Sequence, residues 1–455
     1  MRVPVFLAVQ ADDSLLKSAL SAGFGREARL ALREKLQRRF ERFSLDAGFD
    51  AIPAGRAMAR RIGLPELTFD GDLLPHLALR GTIEVDDVND VPESIDGSPV
   101  LADPIVGTYL TCLGDNPIGH ASDVATRLNV AALHAGGLDG DGVAIAIVDG
   151  GINIAFLEQK LGFRPKLDAA YSWHPPGLNL EPGAYPVGHG TMCAYAALLA
   201  APKATLIDVP AFVGTPAGGS VMGQRLGIAY QGIAQLSAFW SIAFTSSGAP
   251  KYKALVISNS WGMYHPSHDF PVGHRGRYSD NPLHVFTRSI SAMSQIDEVD
   301  IVFAAGNCGG ECPDEQCRNV TTDTITGANA CRDVLTVAGC NLSDERVGYS
   351  SQGPGIAGMA SNKPDLAAYT HFKGSEVLGA GKPDKGTSAA GPVAAGCIAA
   401  LRTRLDPTAA SPASLNEHLC QAARKPQGAG WNANLGHGII DPVATAVALG
   451  LLAAS

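Results

Sequence analysis

The stretch "DKGTSAAGPVAAG", residues 384–396, puts a single serine at the head of a run of small residues. Gly386 and Thr387 precede Ser388, and Gly391 and Pro392 follow it. A helix interior disfavours both glycine and proline, so the composition needs a reason. Close packing of a helix against a neighbour is one. A nucleophile held at a helix N-terminus, where the dipole favours negative charge, is the other. A serine hydroxyl is a poor nucleophile until a base takes its proton, and that base needs a third group to orient it. The choice therefore depends on a histidine and a carboxylate elsewhere in the chain.

Two residues qualify. His189 lies in "YPVGHGTMCAYAAL", between glycines and ahead of a small-residue helix. The chain has 12 histidines, so residue type alone does not separate a base from a hydrogen-bonded loop histidine. Asp149 closes the apolar run "AIAIVD" and is followed by Gly150 and Gly151. An acid there either caps the next turn or takes part in chemistry. Position is what joins the three: each stands where a buried strand ends or a helix begins.

The elements that would position them are legible as apolar runs. "GVAIAIVDGG" (142–151), "ATLIDVPAF" (204–212), "ALVISNSWG" (254–262), "DIVFAAGN" (300–307) and "VLTVAGCN" (334–341) are rich in Val and Ile. Helical segments such as "GTMCAYAALLAAP" and "NPLHVFTRSISAMSQI" lie between them. Near-continuous apolar strands alternating with helices predict an α/β fold with a mainly parallel sheet covered on both faces. Ligands of such sheets sit off the carboxyl ends of the strands, where Asp149, His189 and Ser388 fall.

Residues 1–106 read as a separate small α+β domain, and 107–455 as the larger unit. A strand-like opening (Val3 to Gln10) precedes the charged stretch "GREARLALREKLQRRFERF" (25–43). That stretch predicts a solvated amphipathic helix with Ala28, Leu30, Leu36 and Phe40 inward. "PHLALRGTIEVDD" (75–87) and "SPVLADPIV" (98–106) read as strands. A length of 455 residues suits two domains. Hydrophobic residues at 46% and charged residues at 17% predict a well-cored globular chain. A net charge of -9 gives no bulk attraction to nucleic acid. No run approaches the roughly 18 apolar residues needed to span a bilayer. "MRVPVFLAVQADDS" lacks a small-residue cleavage site and reads as a strand rather than a signal peptide, so the expected location is cytoplasmic.

The order Asp, His, Ser is that of the subtilisin-type triad, and the surrounding blocks carry the resemblance further. "AIVDGGIN", "GHGTMCA", "SNSWG", "VFAAGN" and "GTSAAGPVAAG" resemble the successive signature blocks of the subtilisin-like serine proteases. "GYSSQGP", "KPDLAA" and "GHGIIDPVATA" resemble further family blocks, and the likeness runs from about residue 120 to 449. It implies a subtilisin-like three-layer fold and a serine endopeptidase acting through an acyl-enzyme. Asp149, His189 and Ser388 match the triad positions, and Asn307 matches the oxyanion-hole asparagine. Ser260, Trp261 and Gly262 would edge the substrate cleft with Ala304, Ala305 and Gly306, pairing with an extended peptide. Trp261 would either contact a substrate side chain or serve as a core aromatic. The serine block departs from the family's usual Met-Ala-Ala by reading Ser388-Ala389-Ala390-Gly391.

The same resemblance makes "LRGTIEVDDVNDVPESIDGSPVLADPIV" look like the end of a prosegment, which would inhibit or assist folding until cut between about Asp103 and Ala125. A permanent accessory domain is the alternative. No cofactor is expected for the chemistry and no catalytic metal; structural calcium is left open, with no D-x-[DN]-x-[DN]-G loop present. Cys308, Cys312 and Cys317 follow Asn307 at C-x3-C-x4-C spacing, with Cys331 and Cys340 beyond. A zinc site, a disulfide such as Cys312–Cys317 and redox control are open readings, and reduced structural cysteines are preferred. Glu311, Asp314 and Glu315 make that loop acidic, which suggests a taste for basic substrate residues. Two rival functions remain: a catalytically silent peptide-binding scaffold, and a maturation protease for one dedicated peptide.

Overall fold

A nine-residue strand, buried from Val5 to Val9, leads the N-terminal unit. In the computed structural model, which describes residues 1–10, 15, 26–40, 42–54, 76–108, 116–175, 178–213, 224–246 and 251–454, β1 (Arg2–Gln10) pairs antiparallel with β4 (His76–Glu84) and β6 (Ser98–Ala102). The short strands β2 (Ser44–Leu45) and β3 (Ile52–Ala54) flank β4, and β5 (Ser94–Ile95) pairs with β6. Helix α1 (Arg26–Arg39) buries Leu32 and Leu36 and exposes Arg33, Glu34 and Lys35, so its charge is a solvated face. The expected orientations of Ala28 and Leu30 lie outside the described side chains. Phe6 carries the other face of the sheet onto the second unit, meeting Tyr230 and His284 edge-on at 5.9 and 5.8 Å.

The run predicted as one strand over 98–106 is two. It breaks at Asp103-Pro104, and the second half, β7 (Ile105–Thr108), leaves the N-terminal sheet. Asp103 explains the break. Its buried carboxylate accepts from Arg80 Nε at 2.8 Å and from the Gly227 backbone N–H at 2.9 Å, which commits this corner to both units. β7 also straddles the boundary expected at 106/107.

In the larger unit, β8 (Val143–Asp149), β9 (Lys166–Leu167), β10 (Thr205–Pro210), β12 (Ala254–Asn259), β14 (Val299–Ala304), β15 (Leu335–Cys340) and β16 (Leu366–Tyr369) form one parallel sheet. Its order is β16-β15-β14-β12-β8-β10-β9. Every residue of β8, β12, β14 and β15 is buried, as their continuous apolar character requires in a sheet covered on both faces. Two short strands, β11 (Gln224–Arg225) and β13 (Trp261–Gly262), take β7 between them, both antiparallel to it.

Helices cover the sheet. Following α2 (Ala121–Arg127), α3 (Val130–Ala135) and α4 (Ile154–Leu161) come α5 (His189–Leu198), α6 (Leu226–Ser246), α7 (Val285–Met293) and α8 (Thr387–Arg402); α9 (Pro412–Ala422) and α10 (Pro442–Ala448) complete the layer. The small residues of α8 have a packing reason: a Cβ at Gly396 would lie 2.1 Å from the Ala197 carbonyl oxygen on α5. The two helices cross too closely there for any side chain. No described helix is long and apolar enough to cross a membrane.

Candidate active site

β8 delivers Asp149 to the carboxyl edge of the sheet, and the N-terminus of α5 delivers His189. Asp149 is fully buried, and its two carboxylate oxygens lie 2.9 and 3.0 Å from His189 Nδ1. Asp149 Oδ1 also accepts from Gly150 N–H at 2.7 Å. A carboxylate facing Nδ1 fixes the proton on that nitrogen and leaves Nε2 as the basic atom. The helix start can come this close because residue 190 is glycine: a Cβ there would sit 2.6 Å from the Gly151 carbonyl and 3.2 Å from Asp149 Cβ.

Ser388 is the second residue of α8 and fully buried. Its hydroxyl and His189 Nε2 each lack a hydrogen-bond partner among the described residues. Cys193 bridges the parts: its Sγ is 3.7 Å from His189 Nδ1, 3.5 Å from Asp149 Oδ2 and 3.3 Å from the Ser388 carbonyl oxygen. Burial, then the charge of Asp149, push the Cys193 thiol well above its usual pKa, so it keeps its proton.

Pro392 has a role that its position makes explicit. It lacks the N–H that would bond the carbonyl of Ser388, four residues back along the helix. That carbonyl accepts instead from Ser260 Oγ at 3.2 Å and from Cys193. The proline thus frees the first turn of α8 to be held by neighbouring elements.

Asn307 follows β14. Its Oδ1 accepts from Thr387 N at 2.9 Å and Thr387 Oγ1 at 3.0 Å, while Thr387 Oγ1 accepts from Gly306 N at 3.1 Å. The amide is thereby oriented with its oxygen on Thr387. Ala304, Ala305 and Gly306 are buried at the same edge. Trp261 has its backbone on the cleft, pairing with Thr108, but its ring packs in the core against Phe212, Phe286 and Phe303 at 5.5, 5.8 and 5.5 Å. Of the two readings of that residue, the core aromatic is the one observed. Trp261 and Gly262 form the edge that β7 covers, while Ser260 turns to the Ser388 carbonyl, and the Tyr264 hydroxyl donates to the carbonyl of Thr108.

The preference for reduced cysteines is overturned in the loop after Asn307. Cys308 and Cys317 are joined in a disulfide, and Cys312 is disulfide-bonded as well, whereas Cys331 and Cys340 are free and buried. The pairing is Cys308–Cys317, not Cys312–Cys317, because the turn closed by Asp314 N–H on the Asn307 carbonyl, 2.9 Å, folds residue 317 back beside 308. Such bonds persist in oxidising surroundings. The acidic character of this loop is largely spent internally. Glu311 pairs with Arg346, and Asp314 is buried and caps the turn at Gln316.

Sequence reasoning missed three contributors. Cys193 reads as one more small core residue of "HGTMCA". Asn329 donates through Nδ2 to the carbonyls of Trp261 and Ala304 at 3.0 and 2.9 Å, tying the two cleft segments together. Asp208, on β10, is buried and accepts from the backbone N–H groups of Ile152 and Gly183. None stands in a spacing that betrays it. Among the described residues, the only His/Cys/Asp/Glu group compact enough to hold a metal is Asp149, His189 and Cys193, with donors within 4.8 Å of one another; those donors already bond among themselves.

The model of the subtilase family matches residues 140–438. No curated protein matches the chain. Among solved structures, MycP1 from the ESX-1 type VII secretion system is 18% identical with a TM-score of 0.46, over 78% of this chain and 92% of that one. MycP1 from Mycobacterium smegmatis is 19% identical with a TM-score of 0.45, over 75% and 90%. The MycP3 protease of the ESX-3 system is 18% identical with a TM-score of 0.47, over 78% and 93%.

Proposed function

The chain belongs to the subtilase family and is a serine-type endopeptidase; from that premise we propose that Ser388 is its nucleophile, His189 the base and Asp149 the group that orients the base. The observation that carries this reading is the Asp149 carboxylate against His189 Nδ1 at 2.9 Å, with Cys193 linking that pair to the first turn of α8. His189 Nε2 takes the Ser388 proton as Oγ attacks the peptide carbonyl, and later gives it to the leaving amine. Asp149 stabilises the imidazolium formed between the two steps. The oxyanion receives hydrogen bonds from Asn307 Nδ2 and the Ser388 backbone N–H. Removing such a side-chain donor typically costs about 3 to 4 kcal/mol of transition-state stabilisation. Water then hydrolyses the acyl-enzyme through the same base.

The N-terminal unit is read in the same proposal as an intramolecular inhibitor. β7 lies between β11 and β13 as an extended peptide would, and main-chain pairing of this kind supplies affinity. The test is labelling by a fluorophosphonate probe in wild type and Ser388→Ala, with the labelled band sized on a gel. Labelling in wild type alone is the expected result. A band smaller by the N-terminal unit identifies that unit as removable. A folded wild type that takes no label at any size defeats the catalytic assignment and favours a peptide-binding scaffold.

A further inference from the structure

Asp208 is a charged side chain buried in a place that no step of the proposed chemistry uses. It lies on β10, in register with Ile147 of β8, with none of its surface exposed. Its Oδ2 accepts two backbone N–H groups, from Gly183 at 2.9 Å and from Ile152 at 3.2 Å. Its Oδ1 has no partner among the described residues. A buried carboxylate oxygen with no donor is costly to keep, so the residue calls for an explanation beyond packing.

The two N–H groups belong to the segments that flank the dyad. Ile152 is three residues beyond Asp149, and Gly183 is six residues ahead of His189. The segments are bound to each other at this point. Ile154 N–H donates to the Gly183 carbonyl at 2.8 Å, and Tyr185 N–H to the Ile152 carbonyl at 3.1 Å. Asn153 Nδ2 donates to the Tyr185 carbonyl at 2.7 Å, and Asn153 N–H to Thr191 Oγ1 on α5 at 3.1 Å. Asp208 is itself anchored from behind: its N–H donates to Ser172 Oγ and its carbonyl accepts from Trp173 N–H, both at 2.9 Å. One carboxylate, fixed to a sheet strand, therefore holds both segments to the sheet.

We propose that Asp208 is a positioning residue for the catalytic dyad, fixing Asp149 and His189 in register by clamping the segment after the one and the segment before the other. The carboxylate of Asp208 is the group that receives an N–H from both segments, and Asn153 and Thr191 tie them further. Burial pushes the Asp208 carboxyl up to about 7, against the pull of its two N–H donors and with a further push from Asp149. The inference rests on Asp149 and His189 being the working dyad.

The experiment measures kcat and KM on a fluorogenic peptide for the full-length chain, wild type, Asp208→Asn and Asp208→Ala. Each is normalised to active sites titrated with a fluorophosphonate. Asn keeps one acceptor but loses the charge; Ala loses the clamp. Displacing a catalytic group by around an ångström costs up to about a hundredfold, so the expected pattern is graded. Asp208→Asn lowers kcat about threefold and Asp208→Ala at least about tenfold, with KM within about twofold of wild type. A merely structural residue would lower the titre or the melting temperature and leave kcat per titrated site unchanged, and that result in either folded variant overturns the proposal. Because Asn is nearly isosteric, it decides alone if the alanine variant does not fold. Absence of titratable sites in wild type, in the intact chain and equally after the N-terminal unit has been cut away, fails the dyad reading instead.

Discussion

At the scale of single residues, the proposed triad of Asp149, His189 and Ser388 is held in place by the atoms around it. Pro392 is the sharpest case, since its effect is to withhold a hydrogen bond from Ser388. In Pro392→Ala the restored N–H competes with Ser260 Oγ and Cys193 Sγ for the Ser388 carbonyl. The expected result is a kcat lowered by up to about tenfold at near-constant KM, with thermal stability equal or higher because a proline inside a helix is unfavourable. Steady-state kinetics beside a melting curve checks both, and an unchanged kcat removes the role assigned to the proline. Asp149, His189 and Ser388 could be singled out in the sequence by their types at strand ends and helix starts, and Asn307 only by the family resemblance; the structure brings Asp149 and His189 together and places Asn307 against Thr387. Cys193, Asp208 and Asn329 could not be singled out. Their partners lie far along the chain, as Cys193 and Ser388 do, and a buried polar residue beside apolar neighbours looks the same whether it holds a core or a site.

At the scale of elements, the long apolar strands were legible and the short ones were not. β8, β12, β14 and β15 announce themselves by continuous Val and Ile, whereas β9 has two residues and β16 four, behind Pro364. The sequence also hid how α8 is fixed at both ends. Its first turn is tied to β14 through Asn307 and Thr387. Its last residue, Arg402, is buried and meets Asp300 of β14 in two hydrogen bonds of 2.7 and 2.8 Å, while Nη1 donates to the Ala410 carbonyl at 2.7 Å. The helix that carries Ser388 is thus a strut tied at both ends to β14 and the residues that follow it. Asp300→Ala leaves the guanidinium buried without its counter-charge, and loss of one partner of such a pair costs about 3 to 5 kcal/mol. Denaturant unfolding is the measurement. A loss below about 1 kcal/mol, the range of exposed pairs, contradicts the strut.

At the scale of the whole molecule, the two units share an interface that buries a histidine. His284 is fully buried; its Nε2 donates to the Ala102 carbonyl of β6 at 2.8 Å, and its Nδ1 accepts from Phe286 N–H at the start of α7. The rings of Phe6 and Tyr278 stand edge-on to it at 5.8 and 5.1 Å. Burial pushes its pKa from the usual 6.5 down to about 4, opposed by the Ala102 carbonyl. The assembled state therefore binds fewer protons than the unfolded one. His284 contributes its full stabilisation above pH 6.5, and that contribution drains away as pH falls towards about 4, to a total of about 3 kcal/mol. Asp103, on the same interface, acts in the opposite sense. Burial raises its carboxyl above the usual 3.8, so protonation relieves a cost and acid does not weaken the contact there. The expected outcome is that His284→Gln, which keeps a donor towards Ala102 but cannot be protonated, unfolds with a flatter dependence on pH between 6.5 and 4 than wild type. Denaturant unfolding at several pH values in both proteins measures it, and other carboxylates cancel in the comparison. Equal slopes would show that proton binding at His284 does not set the strength of the contact between the N-terminal unit and the peptidase.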